Sequence, residues 1–402
     1  MNIELHLIQN FAPSCLNRDD TNAPKDCEFG GWRRARISSQ CLKRATRRHP
    51  LFAETVQTEV GVRTARLKLA LRERLAAAQM EDSQLDGLLG ALISGRYAQM
   101  YSKDPSLTSV ALYLHPQEIE GVADYLLEHW EVLSSADWSQ LAAEPKSADE
   151  EETSPRSRSS RKKSNKPAEL DRILADLEER FADRWATPDI ALFGRMMAEA
   201  PARNIDAACQ VAHTISTNRV TMEMDFFTAV DDLRPQAEPG AAMMGTVGFN
   251  SSCFYRYSLI SWRQLVDNLK GDSDLAARTV EAFIRASQAA IPTGKQTSMA
   301  AQNLPSFVLS VVRRNGCPCS LANAFVRPTR PTQEDDLVRG SIKALDEYWG
   351  RVTAAYGSDG IAARPVLCLE PNALSNLAEQ QVGSFEDLVT TTMAAVRGEV
   401  SG

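Results

Sequence analysis

The chain has 402 residues, a formal net charge of −7 and 43% hydrophobic residues. This composition is typical of a globular protein with one large core or two to three smaller units, and it argues against a histone-like coat protein. The eight cysteines and five histidines are scattered, and the sequence has no CxxC, HExxH, P-loop or GxSxG motif. These absences exclude a zinc ribbon, a disulfide framework and the common hydrolase and phosphate-transfer sites.

The first residues, MNIELHLIQNF, lack the pattern of a targeting segment, and no run of about 18 apolar residues occurs. We therefore expect a cytoplasmic protein with no membrane partner. Ile3, Leu5 and Leu7 alternate with polar residues, which predicts that the fold opens with a β-strand ending near residues 10–13. From about residue 54 to 141 the apolar spacing becomes helical and predicts a helix-rich unit.

Residues 144–167, EPKSADEEETSPRSRSSRKKSNKP, have almost no apolar side chains. They cannot bury enough apolar surface to offset the entropy of ordering, so we predict a disordered insertion within the helical unit. Four acids, 149–152, precede six Arg and Lys residues between positions 156 and 166. The basic half is either a solvated linker or a flexible arm that contacts a polyanion.

The remaining chain predicts strands separated by helices. The stretch 206–217, DAACQVAHTIST, is interpreted as a helix, and 221–230 and 246–261 as two strands joined by a Pro- and Gly-rich loop, a protruding hairpin. Further helices are expected at 275–291 and 342–357, with strands at 306–314 and 364–370. This order favours an α+β fold with a small sheet as its base.

A basic strip at Trp32 to Arg48 contains seven Arg and Lys residues and no acid. The serine pair Ser38 and Ser39 is a good start for a helix with one basic face, and the N–H groups of its first turn would face the same anion as the side chains. Gly30 and Gly31 allow close backbone approach. The strip is therefore predicted to bind a phosphodiester backbone, the alternative being a solvated basic helix. Its basic residues are Arg33, Arg34, Arg36, Lys43, Arg44, Arg47 and Arg48.

Other candidate residues lie outside the strip. Asp19 and Asp20 are expected to pair with neighbouring arginines rather than to hold a metal. Phe226, Phe227 and Thr228 on the hairpin offer apolar groups that either stack on bases or pack in a core. For Arg195 and Met196, just before the hairpin, the same two interpretations remain: contact with nucleic acid or packing in a core. The polar loop GKQTSMAAQN, with Lys295, is expected to contact phosphate or a neighbouring subunit.

Several motifs together resemble one family. SCLNRDD, FGGWRRARISSQCLKRA, GRM, DFFTAVDDL, FYRY, GKQ and SLANAF occur in this order and resemble the backbone subunit of the type I-E CRISPR Cascade complex, the CasC family. The likeness covers nearly the whole chain. The insertion described above is the main departure from the family pattern.

The resemblance implies an α+β fold with an RRM-like (ferredoxin-like) palm, an inserted helical finger domain and a β-hairpin thumb. It divides the chain into the first palm segment, 1–50, the finger, 51–190, a second palm segment, 191–219, the thumb, 220–257, and the rest of the palm, 258–402. It implies guide-backbone contacts and thumb contacts to a displaced base. These fall on Arg18, Lys25, Ser38, Gln40, Lys43, Arg44, Arg47, Met196, Phe226, Phe227, Thr228 and Met244.

The resemblance also implies partners. Several copies would polymerise along a CRISPR RNA and present it for pairing with a target DNA strand. The other expected partners are the large and small subunits, the subunit that caps the 5′ handle, the CRISPR RNA endonuclease and a recruited helicase-nuclease. The basic arm, with Arg161, Lys162, Lys163 and Lys166, is a candidate for contact with target DNA.

The protein is expected to be non-catalytic and to need no cofactor or metal. An alternative is a metal-dependent, RNA-cleaving backbone subunit of the type III kind, in which Asp225, Asp231 or Asp232 would be the thumb-base aspartate. A third hypothesis is a free RNA-binding regulator, which predicts tight binding by an isolated monomer rather than cooperative, length-dependent assembly.

Overall fold

A computed structural model of the protein describes residues 1–76, 81–136, 138, 172–173, 175–177, 186–229 and 243–401. The chain divides into two compact units: Met1–Gln57 with Ala208–Gly402, and Thr58–Ala207. Residues 191–207, which the resemblance assigned to the palm, therefore belong to the second unit. The predicted insertion at 144–167 lies outside the described residues.

The helices and strands of the described chain have the following bounds. In order they are β1 (Asn2–Ser14), β2 (Asp26–Phe29), β3 (Trp32–Ile37), α1 (Ser39–Arg48), α2 (Pro50–Val56), β4 (Val62–Thr64), α3 (Leu67–Arg74), α4 (Asp82–Arg96), β5 (Met100–Tyr101), β6 (Asp104–Thr108), β7 (Leu112–Leu114), α5 (Pro116–Glu128), α6 (Trp130–Ser134), α7 (Pro188–Phe193), β8 (Cys209–Val211), β9 (Thr214–Ser216), β10 (Glu223–Ala229), β11 (Met243–Ser261), α8 (Trp262–Asn268), α9 (Ser273–Ala289), α10 (Gln296–Met299), β12 (Phe307–Arg313), α11 (Leu337–Tyr356), β13 (Ile361–Ala363), β14 (Val366–Cys368) and α12 (Phe385–Ser401).

The first unit is built on a large antiparallel sheet, which makes the protein a mixed α and β fold. Its strands lie in the order β13-β12-β1-β11-β9-β3-β2, with β8 and β10 also paired to β11 and β14 to β12. The opening strand β1 is central, because Leu5 is opposite Ser258 of β11 and Ser310 of β12. The predicted first strand is confirmed. It continues past the predicted end, to Ser14, after a register shift beyond Phe11.

Both faces of the central strands are covered by helices. On one face, Ile8 packs in a core cluster with Ile342 and Leu345 of α11. On the other face, the buried guanidinium of Arg256 donates to Gln9 Oε1 at 2.6 Å and to the Ser287 carbonyl of α9 at 2.8 Å. Strands of such a sheet bury even their polar side chains, and this explains why Glu4 and His6 of β1 are as buried as the apolar residues with which they alternate.

The polar side chains of β1 take part in a buried network of hydrogen bonds. Glu4 accepts from Arg313 Nε at 2.8 Å and from the Cys319 backbone N–H at 2.8 Å. His6 Nδ1 lies 2.9 Å from the Tyr255 hydroxyl, which accepts from the Leu321 N–H. Burial lowers the pKa of His6 to about 3, so this ring is neutral near pH 7.

The stretch 206–217 was predicted as a helix, and this prediction is wrong. It forms β8 and β9 instead, which pair with β11 through Cys209 and Ile215. Ile215 also pairs with Arg36 of β3. Sheet pairing on both sides of β9 therefore overrides the local preference of an alanine-containing segment.

The second unit has its own helical core, formed by the residues between 58 and 207 that the structure describes. Leu71, Leu88 and Leu126 are fully buried there, together with Trp138. Two small antiparallel pairs, β4 with β7 and β5 with β6, complete this unit. Among the described helices of the protein, none is both long enough and apolar enough to cross a membrane.

Candidate nucleic-acid interface

The loop that follows β1 is held in a tight turn by its own polar groups. Asp19 Oδ1 accepts from the Thr21 hydroxyl at 2.8 Å, the Thr21 N–H at 2.9 Å and the Ala23 N–H at 2.9 Å. These hydrogen bonds, chiefly the one from the Thr21 hydroxyl, lower the pKa of Asp19. Asp19 therefore shapes the turn and does not form the predicted ion pair with an arginine. Arg18 instead donates to Asn22 Oδ1 at 2.5 Å and remains exposed.

Asn17 joins this loop to the start of α1. Its Oδ1 accepts from the Ser38 N–H at 2.8 Å, and its carbonyl accepts from the Lys25 N–H at 2.9 Å. The Lys25 carbonyl in turn accepts from the Arg36 N–H at 2.9 Å. The arrangement brings Lys25 and Arg36 beside the first turn of the helix, whose N–H groups lack intrahelical partners.

Helix α1 begins at the predicted serine pair, and its charged residues lie on the part of the helix that is not buried. Leu42 and Thr46 are buried, Gln40 and Arg44 are exposed, and Lys43 is partly exposed. Arg47, one turn after Lys43, is also partly exposed. Ser38 is the residue before the helix, although its side chain makes no capping hydrogen bond. The predicted helix is confirmed, and one edge of it is basic.

The three arginines of β3 have different roles. Arg33 is 71% exposed at its side chain and forms an ion pair with Asp26 at 2.6 Å. Arg36 donates to the Asp26 carbonyl at 3.1 Å and lies 3.1 Å from His213 Nδ1. Arg34 is fully buried, and its guanidinium donates to the carbonyls of residues 216, 217, 325 and 326.

The prediction that Arg34 contacts RNA is therefore wrong. Burial lowers its pKa, and its bonded donors point at protein carbonyls rather than at solvent. Sequence spacing could not show this, because Arg33, Arg34 and Arg36 are chemically equivalent until the sheet places them.

The prediction that Arg195 contacts RNA is also wrong. It is 5% exposed in the second unit and pairs with Glu118 at 3.1 Å, while Arg203 pairs with the other carboxylate oxygen at 3.2 Å. The neighbouring Met196 is 87% exposed and remains available, whereas Met197 is buried.

The loop before α10 lies against the loop that carries Arg18. A Cβ added at Gly294 would lie 2.5 Å from the Leu16 carbonyl oxygen and 2.7 Å from that of Cys15. The adjacent Lys295 adopts a left-handed backbone with φ 53°. Burial raises the pKa of the Cys15 thiol, and the charges of Arg18 and Lys295 oppose this shift, so both cations lie near the same sulfur.

Strands β10 and β11 form a hairpin with exposed apolar side chains. Phe226 is 65% exposed, Met224 67% and Met244 67%. Thr228 is opposite Met244, and Phe227 covers Gly245, where an added Cβ would lie 2.5 Å from the ring. The two predicted strands are confirmed, while the whole connecting segment 230–242, with Asp231 and Asp232, lies outside the described residues.

The base of the hairpin lies beside the loop of Lys25. A Cβ added at Gly248 of β11 would lie 3.2 Å from Pro24 Cδ and 3.6 Å from Met224 Sδ. Met224 was missed in the sequence, although it shares a face of β10 with Phe226 and Thr228 through the period of two. His213 was also missed, and no local pattern marks it, because its contact with Arg36 depends on strand pairing.

The structure does not test the predicted basic arm. Arg161, Lys162, Lys163 and Lys166 lie outside the described residues. In the part that is described, no cluster of three or more His, Cys, Asp or Glu side chains could hold a metal ion. Asp225 is exposed on β10, opposite Val247.

Comparison with known families decides the relationship of the chain. A family model described as CT1975-like protein matches residues 3–391. The chain belongs to the CT1975-like protein family. No curated protein matches it significantly.

Two solved structures resemble the CT1975-like chain over nearly its whole length. The first, titled "CRISPR RNA-guided surveillance complex, pre-nicking", is 29% identical with a TM-score of 0.79, and the match covers 98% of this chain and all of that one. The second, titled "CRISPR RNA-guided surveillance complex", is 25% identical with a TM-score of 0.69 and the same coverage. The resemblance read from the motifs is confirmed at the level of the family and of CRISPR surveillance-complex subunits.

Proposed function

We propose that this protein is a non-catalytic, multi-copy backbone subunit of a type I-E CRISPR Cascade complex. The observation that carries the proposal is the convergence of three basic elements on one surface. The loop of Arg18 and Lys25, the first turns of α1 and the loop of Lys295 are joined by Asn17 and by the close contact at Gly294. Such a surface suits a phosphodiester backbone, which carries charge and no base identity.

The strand order supports an RRM-like palm. The strands β1, β8 with β9, β11 and β12 follow one another along the chain and lie in the spatial order β12-β1-β11-β9. This is the fourth-first-third-second order of a ferredoxin-like sheet, with α1 and α9 as its two crossover helices. The second unit is inserted between the first crossover helix and the second of these strands, as the finger is in the proposed architecture.

The palm would bind RNA differently from an ordinary RRM. An RRM stacks bases on aromatic side chains of an open sheet face. Here α11 covers that face and buries Tyr255 and Phe325. The strand is therefore proposed to run over the loops and the start of α1.

The β10–β11 hairpin is the proposed thumb. Its exposed Phe226, Met224 and Met244 would lie against a displaced base, since flat and polarizable apolar groups tolerate any base. Because the base of the hairpin contacts Pro24, a strand held by Lys25 would pass beside it. Repeated along the guide, each copy would displace a nucleotide at a regular interval and leave the segments between for pairing with target DNA.

The remaining proposed partners follow from assembly in such a complex. They are CRISPR RNA, target DNA, further copies of this chain, the other Cascade subunits and a recruited helicase-nuclease. Specificity would come from base pairing.

Native mass spectrometry tests the assembly. The chain is co-expressed with a CRISPR array and its neighbouring genes and purified through a tag, beside the K43A/R44A/R47A variant. We expect one large particle with several copies and one guide RNA, which the variant fails to form. The control is R263A/R351A, which removes two exposed arginines outside the strip.

A second measurement separates the proposal from the RNA-cleaving alternative. The purified particle is incubated with complementary RNA and a divalent metal, beside an Asp225→Asn variant. Metal-dependent cleavage that this variant loses would contradict the non-catalytic proposal. For the thumb, F226A/M244A should keep the particle but abolish the regular spacing of guide positions that resist nuclease digestion.

A further inference from the structure

A second cationic surface lies at the turn between β2 and β3. The ring of Trp32 has the Arg219 guanidinium 5.8 Å from its centroid and the Arg330 guanidinium 5.9 Å from it. Both arginines are exposed and Trp32 is partly exposed. These three residues are called the Trp32 patch.

The patch is held by backbone contacts between three chain segments. The Val220 N–H donates to the Arg33 carbonyl at 3.0 Å, which places Arg219 beside Trp32. The Thr329 N–H donates to the Thr217 carbonyl at 2.9 Å, which fixes the residue before Arg330. These hydrogen bonds fix the backbone segments that carry the three side chains of the patch.

Two further contacts fix the same segments. The buried Arg34 guanidinium donates to the Thr217 carbonyl at 2.8 Å and to the Phe325 carbonyl at 2.6 Å. At the turn, a Cβ added to Gly30 would lie 2.3 Å from the Val326 carbonyl oxygen. The glycine at the tip is thus required for this close approach.

The charge of the patch is uncompensated. Within the described residues neither Arg219 nor Arg330 forms an ion pair, whereas nearby Arg33 is bound to Asp26. Two like charges on one ring repel each other, and an anion between them would offset this cost. The patch thus favours an anionic ligand.

The patch and Arg36 of the proposed guide site lie towards opposite ends of β3, with the buried Arg34 between them. Trp32, Arg34 and Arg36 share one face of β3 because side chains alternate along a strand. Trp32 and Arg36 are four residues apart, about 13 Å at the rise of a strand. A single strand held at Arg36 would reach the patch within a few nucleotides.

We propose that the Trp32 patch binds single-stranded nucleic acid, with a base stacked on Trp32 and phosphates paired with Arg219 and Arg330. Aromatic groups beside cations are the usual means of holding a single strand without sequence preference. The identity of that strand as the guide rests on the proposed function, but the binding chemistry of the patch does not. An acidic protein surface, the other class of anion, offers no planar base for the ring.

Fluorescence anisotropy with a labelled oligouridylate tests the patch on the purified full-length chain. R219Q/R330Q should lower the slope of log K against log salt by about 1.4, since each phosphate contact on a single strand contributes about 0.7. W32L should weaken binding about fivefold or more, and W32F should stay within about twofold of the wild type. R263Q/R351Q is the charge-matched control, and it also removes an arginine that lies 5.2 Å from the Tyr348 ring.

Ultraviolet cross-linking gives an independent readout. The peptide that contains Trp32 should carry a cross-linked nucleotide in the wild type and lose it in R219Q/R330Q. An unchanged salt slope without this cross-link would overturn the inference. If K43A/R44A/R47A alone weakens oligonucleotide binding, the inference falls while the proposed function stands.

Two further outcomes separate the possibilities. Loss of oligonucleotide binding in the patch variants, from a chain that never assembles on guide RNA, would sustain the inference and refute the proposed function. Loss of copies from the assembled particle with unchanged oligonucleotide binding would assign the patch to an acidic protein surface and overturn the inference.

Discussion

The substitution Arg34→Ala should destabilise the sheet unit strongly, whereas Arg33→Ala should not. The Arg34 guanidinium donates to the carbonyls of Ser216, Thr217, Phe325 and Val326 at 3.0, 2.8, 2.6 and 3.2 Å. Hydrogen bonds from a charged group contribute about 1.5–3 kcal/mol each before the cost of desolvating the cation, which is several kcal/mol. The net loss on removal of Arg34 is therefore about 3–5 kcal/mol.

Amide hydrogen exchange is the suitable assay, because a chain of two units is not expected to unfold in one step. Peptides covering residues 30–37 and 214–220 should lose about 150- to 5,000-fold of their protection in Arg34→Ala. Arg34→Lys should lose less, because its ammonium keeps the charge but reaches fewer of the four carbonyls. Arg33→Ala, which breaks only an exposed ion pair with Asp26, is the matched control. Protection in Arg34→Ala within threefold of this control would refute the structural role of Arg34.

Two further substitutions test the buried network and the Lys295 loop. Burial lowers the pKa of His6 from 6.5 to about 3, so between these pH values the unfolded chain binds a proton at this ring and the folded chain does not. Folding stability should therefore fall as the pH falls from about 6.5 towards 3. The protection of the β1 amides against hydrogen exchange, corrected for intrinsic rates, should differ less between pH 7 and pH 5 in His6→Asn than in the wild type, and an equal difference would contradict the assignment. Gly294→Ala should displace the Lys295 loop, because the new Cβ would lie 2.5 Å from the Leu16 carbonyl oxygen, and should weaken oligonucleotide binding several-fold. Gly383→Ala, whose nearest atom is 3.5 Å away, is the control and should leave binding unchanged.

Local pattern predicted most of the long elements of the sheet unit. The first strand, the helix that starts at the serine pair and the two strands of the hairpin are confirmed, because the spacing of apolar and polar residues is a property of the local chain. The segment 206–217 failed because its strands exist through pairing with β11 and β3. A single sequence carries no information about such partners.

The sequence predicted the positive charge of the candidate site, but not which of its basic residues are exposed and which are buried. The spacing of the strip predicted a basic helix edge. Arg34, however, is hydrogen-bonded to buried carbonyls, and Arg195 forms an ion pair with Glu118. Arg219 and Arg330 were missed because they are far from the strip in sequence and meet Trp32 only through the fold.

Coverage of the sheet limits where the proposed nucleic acid could bind in the first unit. Helix α11 occupies one face of the central strands, and α9 contacts the buried polar groups of the other. Under the proposed function, a strand of nucleic acid would therefore run along the edge formed by β2, β3 and the loops beside them. Arg33 of the strip and the two arginines of the Trp32 patch are exposed beside this edge, while the arginines that point into the sheet are bound to carbonyls. Arginine thus has two roles at this edge: buried arginines hold the segments together through their carbonyls, and exposed arginines supply the positive charge of the surface.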